Sequence, residues 1–231
     1  MLKAEIREIS IINNDNQKTL LRDIYFTVDY NSIYTILGEN GSGKSTLIKS
    51  LTMLTDKKVF RIDGNIFWNN QNLIHTSDEA LTLIRKNQIR YVFQDCVNSF
   101  DPLKRMNYYF GKMAEDEKHL NELLEYFNLP DKNELGKLYP YELSGGMAQR
   151  VAIVLAAVAK PKLLILDEPT SAADTAIINL LIFFLRDYVS KENNSVLIVT
   201  QDLLFAKKVS DKTAEIKNST LTEFQAFRML E

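Results

Sequence analysis

Between residues 20 and 30, Ile24, Phe26 and Val28 alternate with Tyr25, Thr27 and Asp29, a period of two that predicts a strand with one apolar and one polar face. Residues 2–12 read as a second strand, joined to the first by a turn at 13–16. Three short runs, Ile33–Leu37, Leu163–Leu166 and Ser195–Val199, are apolar and β-prone and predict buried strands. Residues 59–73 carry shorter β-prone pieces around a turn at Gly64, and 90–93 read as one further strand. Elsewhere the spacing is helical. Leu47, Ile48, Leu51 and Leu54 share one face, as do Leu120, Leu123, Leu124 and Phe127 in a helix that ends before Pro130. Residues 78–87, 151–160 and 175–189 also read as helices, the last apolar almost all round and so expected to be buried. Strands and helices that alternate in this way predict an α/β fold.

The region 95–142 breaks the alternation, with Pro102, Pro130 and Pro140 and no strong strand signal. It reads as a small helical subdomain inserted into the core. The whole of 1–231 is then one domain, with 1–94 and 151–231 forming the core and 95–150 the insertion. Met106, Tyr108, Tyr109, Phe110 and Met113 give the insertion an aromatic, methionine-bearing patch, which serves either as its core or as a surface that grips a partner helix.

Composition narrows the class. The chain has 231 residues, 45% hydrophobic and 25% charged, as ordinary globular domains are. A net charge of −2 without a basic block gives a nucleic-acid partner no electrostatic footprint. The single cysteine, Cys96, excludes an internal disulfide and a cysteine-based metal site, and suits a reducing compartment. The charged start lacks the apolar core of a signal peptide, and no apolar run approaches the ~20 residues of a membrane span. A soluble cytoplasmic protein that can dock on a membrane protein is expected.

Gly38, Glu39, Asn40, Gly41, Ser42, Gly43, Lys44, Ser45 and Thr46 fit G-x-x-x-x-G-K-S/T, placed between a predicted strand and a predicted helix. Glycines let the main chain curl until its N–H groups converge on a polyphosphate at a helix N-terminus. Lys44 would reach the β- and γ-phosphates, and the Ser45 hydroxyl would take one position on Mg²⁺. Gln94 directly follows a predicted strand, where its amide oxygen can ligate Mg²⁺ or hold an attacking water. Ser144, Gly145 and Gly146 open another helix as a second anion site. Asp167 and Glu168 end a buried strand, the first placed to hold Mg²⁺ and the second to act as general base.

Four motifs in this order resemble the ATP-binding cassette (ABC) ATPases: GENGSGKST at 38–46, Gln94, LSGGMAQR at 143–150 and LLILDEPTSAAD at 163–174. The resemblance spans nearly the whole chain. It implies a phosphate-loop NTPase core of mixed sheet, with an N-terminal antiparallel β subdomain and an inserted helical subdomain. It also implies two cassettes meeting head to tail around ATP and Mg²⁺. Ser144 and Gly146 would then contact the γ-phosphate held by the partner, and Asp174 would communicate across the interface. Asp78–Arg85, Ile89–Asp95 and Asn98–Pro102 further resemble the di/oligopeptide and nickel importer branch, with Cys96 in place of a proline and Asp101 in place of an asparagine.

Two departures stand out. Gln201 occupies the position where the family carries a histidine that contacts the γ-phosphate, and neither His75 nor His119 follows a core strand. Losing such a charge-stabilising donor costs on the order of 10²–10³ in rate, so a slow but living site is expected. No aromatic lies in 11–20, where such cassettes stack adenine. The resemblance implies an ATP-hydrolysing subunit on the cytoplasmic face of the membrane, working with permease subunits, a second cassette (identical or not) and, indirectly, a substrate-binding protein. The cargo expected is small peptides or a nickel or other metal complex. The alternatives are an exporter or peptide-toxin immunity pump, a weakly hydrolysing regulatory cassette, and a soluble ABC protein.

Overall fold

In the computed structural model, which describes all residues except 14, 15, 115, 192 and 227–231, two sheet regions meet edge to edge. The first is antiparallel. Strand β1 (Leu2–Asn13) pairs with β2 (Asn16–Val28) and with β4 (Phe60–Trp68), and β5 (Gln71–Asn72) closes the edge. Leu2, Ala4 and Ile6 are buried while Lys3 and Arg7 face outward, the alternation of a strand covered on one side. The turn expected at 13–16 falls partly on residues outside the described set.

Gly64 is not a turn. It lies within β4 at φ 139°, beside a shift in β1 register between Ile6 and Glu8, and a Cβ there would lie 2.2 Å from the Glu5 carbonyl oxygen. The glycine permits two backbones to approach at a bulge, a role that sequence does not distinguish from a turn.

The second region is parallel. Strands β3 (Ile33–Leu37), β8 (Ser195–Thr200), β7 (Leu163–Asp167) and β6 (Ile89–Val92) lie in that order, and β9 (Lys212–Lys217) flanks β3 on the other side. Two short strands, β10 (Thr220–Leu221) and β11 (Gln225–Ala226), pair with β9, and β10 joins the two regions by touching β2.

Alternate side chains of the parallel strands enter two separate cores. Tyr34, Ile36, Leu163, Ile165, Leu197 and Val199 pack under α1 (Lys44–Leu51) and α2 (Asp78–Asn87). Ile33, Leu164, Leu166, Val196 and Ile198 pack under α7 (Thr175–Ser190), α8 (Leu203–Val209) and the helices of 106–157. Those last are α3 (Met106–Met113), α4 (Glu117–Tyr126), α5 (Lys132–Leu135) and α6 (Gly145–Ala157).

The helix expected to be buried all round is covered on one face only. In α7, Leu181, Phe184, Leu185, Tyr188 and Val189 are buried, but Phe183 is 69% exposed and the first turn is open. Apolar composition on every side cannot report that a neighbour is present on just one. The aromatic patch of α3 splits in the same way, with Met106 and Phe110 in the core and Tyr108 on the surface. Among the described residues no helix is long and apolar enough to cross a membrane.

Candidate functional site

Register decides what meets what. Strand β3 runs parallel to β8 with Leu37 opposite Thr200, and β7 runs parallel to β8 with Asp167 opposite Val199. The carboxyl ends of three buried strands therefore come to one edge, where open α/β sheets bind ligands. The loop after β3, the Asp167–Glu168 pair and Gln201 converge there.

The loop 38–43 curls as its glycines allow. Gly41 and Gly43 adopt φ 78° and 101°, and Gly43 leads directly into α1 with no side-chain cap. The first N–H groups of α1 are thus free to face an anion, with the positive end of the helix dipole behind them. Within the loop the Ser42 hydroxyl is buried without a hydrogen-bond partner.

Lys44 is only 6% exposed. Its ammonium donates to the carbonyls of Gly38 (2.8 Å) and Glu39 (3.0 Å) and lies 3.2 Å from Glu168 Oε1. That last contact is an ion pair without hydrogen-bond geometry, since Oε1 has no bonded donor. The other carboxylate oxygen of Glu168 accepts from the Thr200 hydroxyl (2.9 Å) and the Gln201 backbone N–H (3.2 Å). Glu168 sits at φ 47°, a strained left-handed backbone for a non-glycine residue, and Gln149 donates to its carbonyl at 3.3 Å.

Asp167 accepts from Ser45 Oγ at 3.0 Å and from Tyr91 Oη at 2.8 Å, one donor on each oxygen. Burial pushes its carboxyl above the usual range, and these two bonds pull it partway back. The Tyr91 hydroxyl is raised too, by burial first and by the neighbouring charge of Asp167 second. Ser45 and Asp167 supply hard oxygen donors side by side. Mg²⁺ is commonly bound by one carboxylate together with substrate phosphates, so this pair fits it. Among the described residues no group of three His, Cys, Asp or Glu side chains could hold a metal by itself.

A cleft of about 310 Å³ lies over this machinery. Asn40, Gly41, Gly43, Lys44, Ser45 and Thr46 line it, together with Gln94 and Glu168. Gln94 is exposed there, as is Gln201 beyond β8. The cleft also exposes a residue that the sequence reading missed. Phe60 lines it beside Ile11 and Leu20, because β4 pairs with β1 so that Phe60 lies opposite Ile11. No aromatic lies within 11–20, and the one lining the cleft is supplied by a strand forty residues on, which only the pairing reveals.

Ser144, Gly145, Gly146 and Asp174 do not line this cleft. Ser144 caps α6 by accepting the Met147 N–H at 3.2 Å, and Asp174 caps α7 by accepting the Ile177 N–H at 3.0 Å. Both caps are exposed. The two helix starts sit together, since a Cβ on Gly146 would lie 3.0 Å from the Ala172 carbonyl. The helix starts at Ser144 and Asp174 thus form one exposed surface, separate from the cleft around Lys44.

Comparison with known proteins agrees in sequence and in fold. Residues 21–171 match the family described as ABC transporter. The chain is 30% identical to the metal-staphylopine import system ATP-binding protein CntD of Staphylococcus aureus, over 96% of this chain and 85% of that protein. It is 28% identical to the oligopeptide transport ATP-binding protein OppD of Escherichia coli, over 92% of this chain and 65% of that protein. It is also 30% identical to the dipeptide transport ATP-binding protein DppD of Lactococcus lactis, over 88% of this chain and 61% of that protein. Among solved structures, the dimeric ATP-binding cassette MJ0796 bound to ADP and Pi superimposes with a TM-score of 0.83 at 23% identity over the full length of both chains.

Proposed function

The chain belongs to the ABC transporter family, and from that premise we propose that it is the ATP-hydrolysing subunit of an importer for small peptides or a metal complex. The observation that carries the reading is the shared edge of β3, β7 and β8, which brings Lys44 within 3.2 Å of Glu168 and Ser45 within 3.0 Å of Asp167. The cargo class is proposed from the relatives, which are named ATP-binding proteins of a metal-staphylopine import system and of oligopeptide and dipeptide transport.

In this reading Lys44 and the N–H groups of 41–46 bind the β- and γ-phosphates of ATP, and Phe60 offers a face to adenine. Ser45, Asp167 and Gln94 hold Mg²⁺, which when bound neutralises charge on the phosphates. Lys44 exchanges Glu168 for a phosphate. The released carboxylate, still fixed through Oε2, then accepts the proton of the attacking water. The second anion surface, of Ser144, Gly145 and Gly146 with Asp174 behind it, closes on the cleft of another cassette. MJ0796, which shares the fold, is described as dimeric with ADP and Pi bound. Membrane permease subunits complete the assembly at the cytoplasmic face, with a binding protein supplying cargo from outside.

Gln201 places a neutral amide where the family carries histidine. Its backbone N–H, not its side chain, holds Glu168. The general base therefore stays in place while one charge-stabilising donor is lost, which supports a slow site and favours pairing with a non-identical cassette. Turnover of the assembled complex should rise at least tenfold in Gln201→His. No gain would remove the slow-site reading, and absence of any ATP hydrolysis sensitive to Glu168→Gln would remove the enzyme.

A further inference from the structure

A cavity of about 420 Å³ opens between α4 of the insertion and α7 of the core, and it shares no lining residue with the nucleotide cleft. Tyr126, Phe184 and Tyr188 give it an aromatic wall, with Leu123 and Ala157 beside them. The Phe184 ring centroid stands 6.0 Å from that of Tyr126 and 5.9 Å from that of Tyr188. Two of the rings are pinned through their hydroxyls. Tyr126 donates to the Leu180 carbonyl at 3.3 Å, and Tyr188 donates to the Pro161 carbonyl. Both hydroxyl hydrogens are thereby spent.

The rings have an ordinary explanation, since Phe184 and Tyr188 also belong to the core under α7. Asn194 is not so easily explained. It lines the same cavity just ahead of β8 and is only 8% exposed. Its Nδ2 donates to the Tyr188 carbonyl at 3.3 Å, and its backbone carbonyl accepts from Asn31 at 2.9 Å. Its Oδ1 is buried without a hydrogen-bond partner among the described residues. A buried acceptor left unsatisfied is costly, so this one calls for a donor from outside the chain. The charges of the lining offer little to an ion. Glu122 and Asp187 are matched in number by Lys160 and Lys191. Asp187 is held by Lys191 at 2.5 Å, and Glu122 lies 3.7 Å from His119 and 3.8 Å from Lys118.

We propose that this cavity binds a small, neutral aromatic molecule with an N–H donor, its ring against Tyr126, Phe184 and Tyr188 and its N–H on Asn194 Oδ1. Apolar walls around a single placed polar group are the usual make-up of a small-molecule site. Water alone would satisfy Oδ1 but leave the aromatic wall wet, whereas a flat ring with a donor at its edge meets both demands. An occupant would also brace the insertion against the core. Phe127, the residue after Tyr126, offers its carbonyl to Arg150 at 2.9 Å, and the same guanidinium donates to the Gly146 carbonyl at 3.1 Å. The end of α4 that walls the cavity is therefore tied to the start of α6.

The test titrates the full chain with indole and with 1-methylindole, which has a methyl in place of the N–H hydrogen, and reads affinity by saturation-transfer NMR. Indole should bind roughly fivefold or more tightly than its methylated analogue. Saturating ATP with Mg²⁺ should leave indole affinity within about twofold, and indole should slow hydrogen exchange in α4 and α7 but not in 41–46. Asn194→Leu should bring the two ligands within about twofold of each other, because the acceptor that tells them apart is gone. Tyr126→Ala, on the part-exposed side of the wall, should weaken both ligands roughly threefold or more. It keeps the site testable if the leucine variant does not fold. Equal affinity for the two ligands in the wild type overturns the donor-accepting site and leaves an apolar crevice. Displacement of indole by ATP places it in the cleft beside Phe60 and overturns the site as well. Binding of neither ligand, or indifference to Tyr126→Ala, does the same.

Discussion

Glu168→Gln should destabilise the nucleotide-free chain and leave the nucleotide-bound chain nearly untouched. Lys44 and Glu168 are 6% and 8% exposed in their side chains and 3.2 Å apart, so each is the main charge partner of the other in a dry setting. Removing one partner of a buried pair costs ~3–5 kcal/mol when the other is stranded. Lys44 is not wholly stranded, because the Gly38 and Glu39 carbonyls still accept from it. Glutamine keeps its oxygen toward Thr200 and the Gln201 N–H only by turning its amide N–H₂ toward Lys44, a donor facing a donor. Roughly 1–2 kcal/mol remains, which for a chain of this size is a fall of about 2–8 °C. Saturating ATP with Mg²⁺ supplies phosphate oxygens to Lys44, so the gap between variant and wild type should close. Scanning calorimetry with and without nucleotide reads both arms, and hydrolysis measured in the same samples should fall by about 10²–10⁴. An equal gap in both arms, or no gap in the nucleotide-free arm, would show that the pair does not hold Lys44 and would sink the exchange step.

Phe60→Ala should weaken ATP binding by about 1–3 kcal/mol, roughly 5- to 150-fold, as loss of an aromatic platform under a base does, while inorganic triphosphate binds as before. Equilibrium titration of both ligands checks it, and equal weakening of the two would point to a packing role. In the metal-free chain, Asp167→Asn should raise the unfolding temperature at neutral pH. A carboxyl whose folded pKa is raised contributes stability that is present below its unfolded pKa and lost as pH rises through the folded value, so the advantage of Asn should shrink toward about pH 4. Unfolding scans across that range read it. Tyr91→Phe removes the donor on one Asp167 oxygen and should raise the Mg²⁺ concentration for half-maximal turnover severalfold, with little change in affinity for metal-free ATP.

What sequence made legible follows from range. The phosphate loop lies within nine residues and carries its own glycines, so its chemistry and its place between strand and helix are local. The same holds for Asp167 and Glu168 at the end of a strand whose apolar run announces it. Phe60 was invisible because its part depends on pairing with Ile11 across a bulge, which no single window contains. Tyr91 lies in a short predicted strand with nothing local to mark it, and only the neighbouring strand β7 brings Asp167 to its hydroxyl. The half-exposed α7 fails for a third reason. Its residues are apolar on sides that this chain does not cover, and sequence cannot show which neighbours are absent. Where local conformation alone decides, asparagine does what glycine otherwise would: Asn31 and Asn218 adopt φ 57° and 50°.

The missing side chain at Gly64 acts as a gauge mark. Counting along β4 from it, the extra residue that β1 takes up before Glu8 advances every later pair by one place, so Phe60 comes opposite Ile11 and not Ser10. Neighbouring positions on a strand point to opposite sides of the sheet, so a slip of one place would turn the partner of Phe60 away from it. The apolar wall that Phe60 and Ile11 give the cleft therefore rests on an atom that is not there. A methyl group at position 64 would be felt in the cleft, although no atom of that residue lines it.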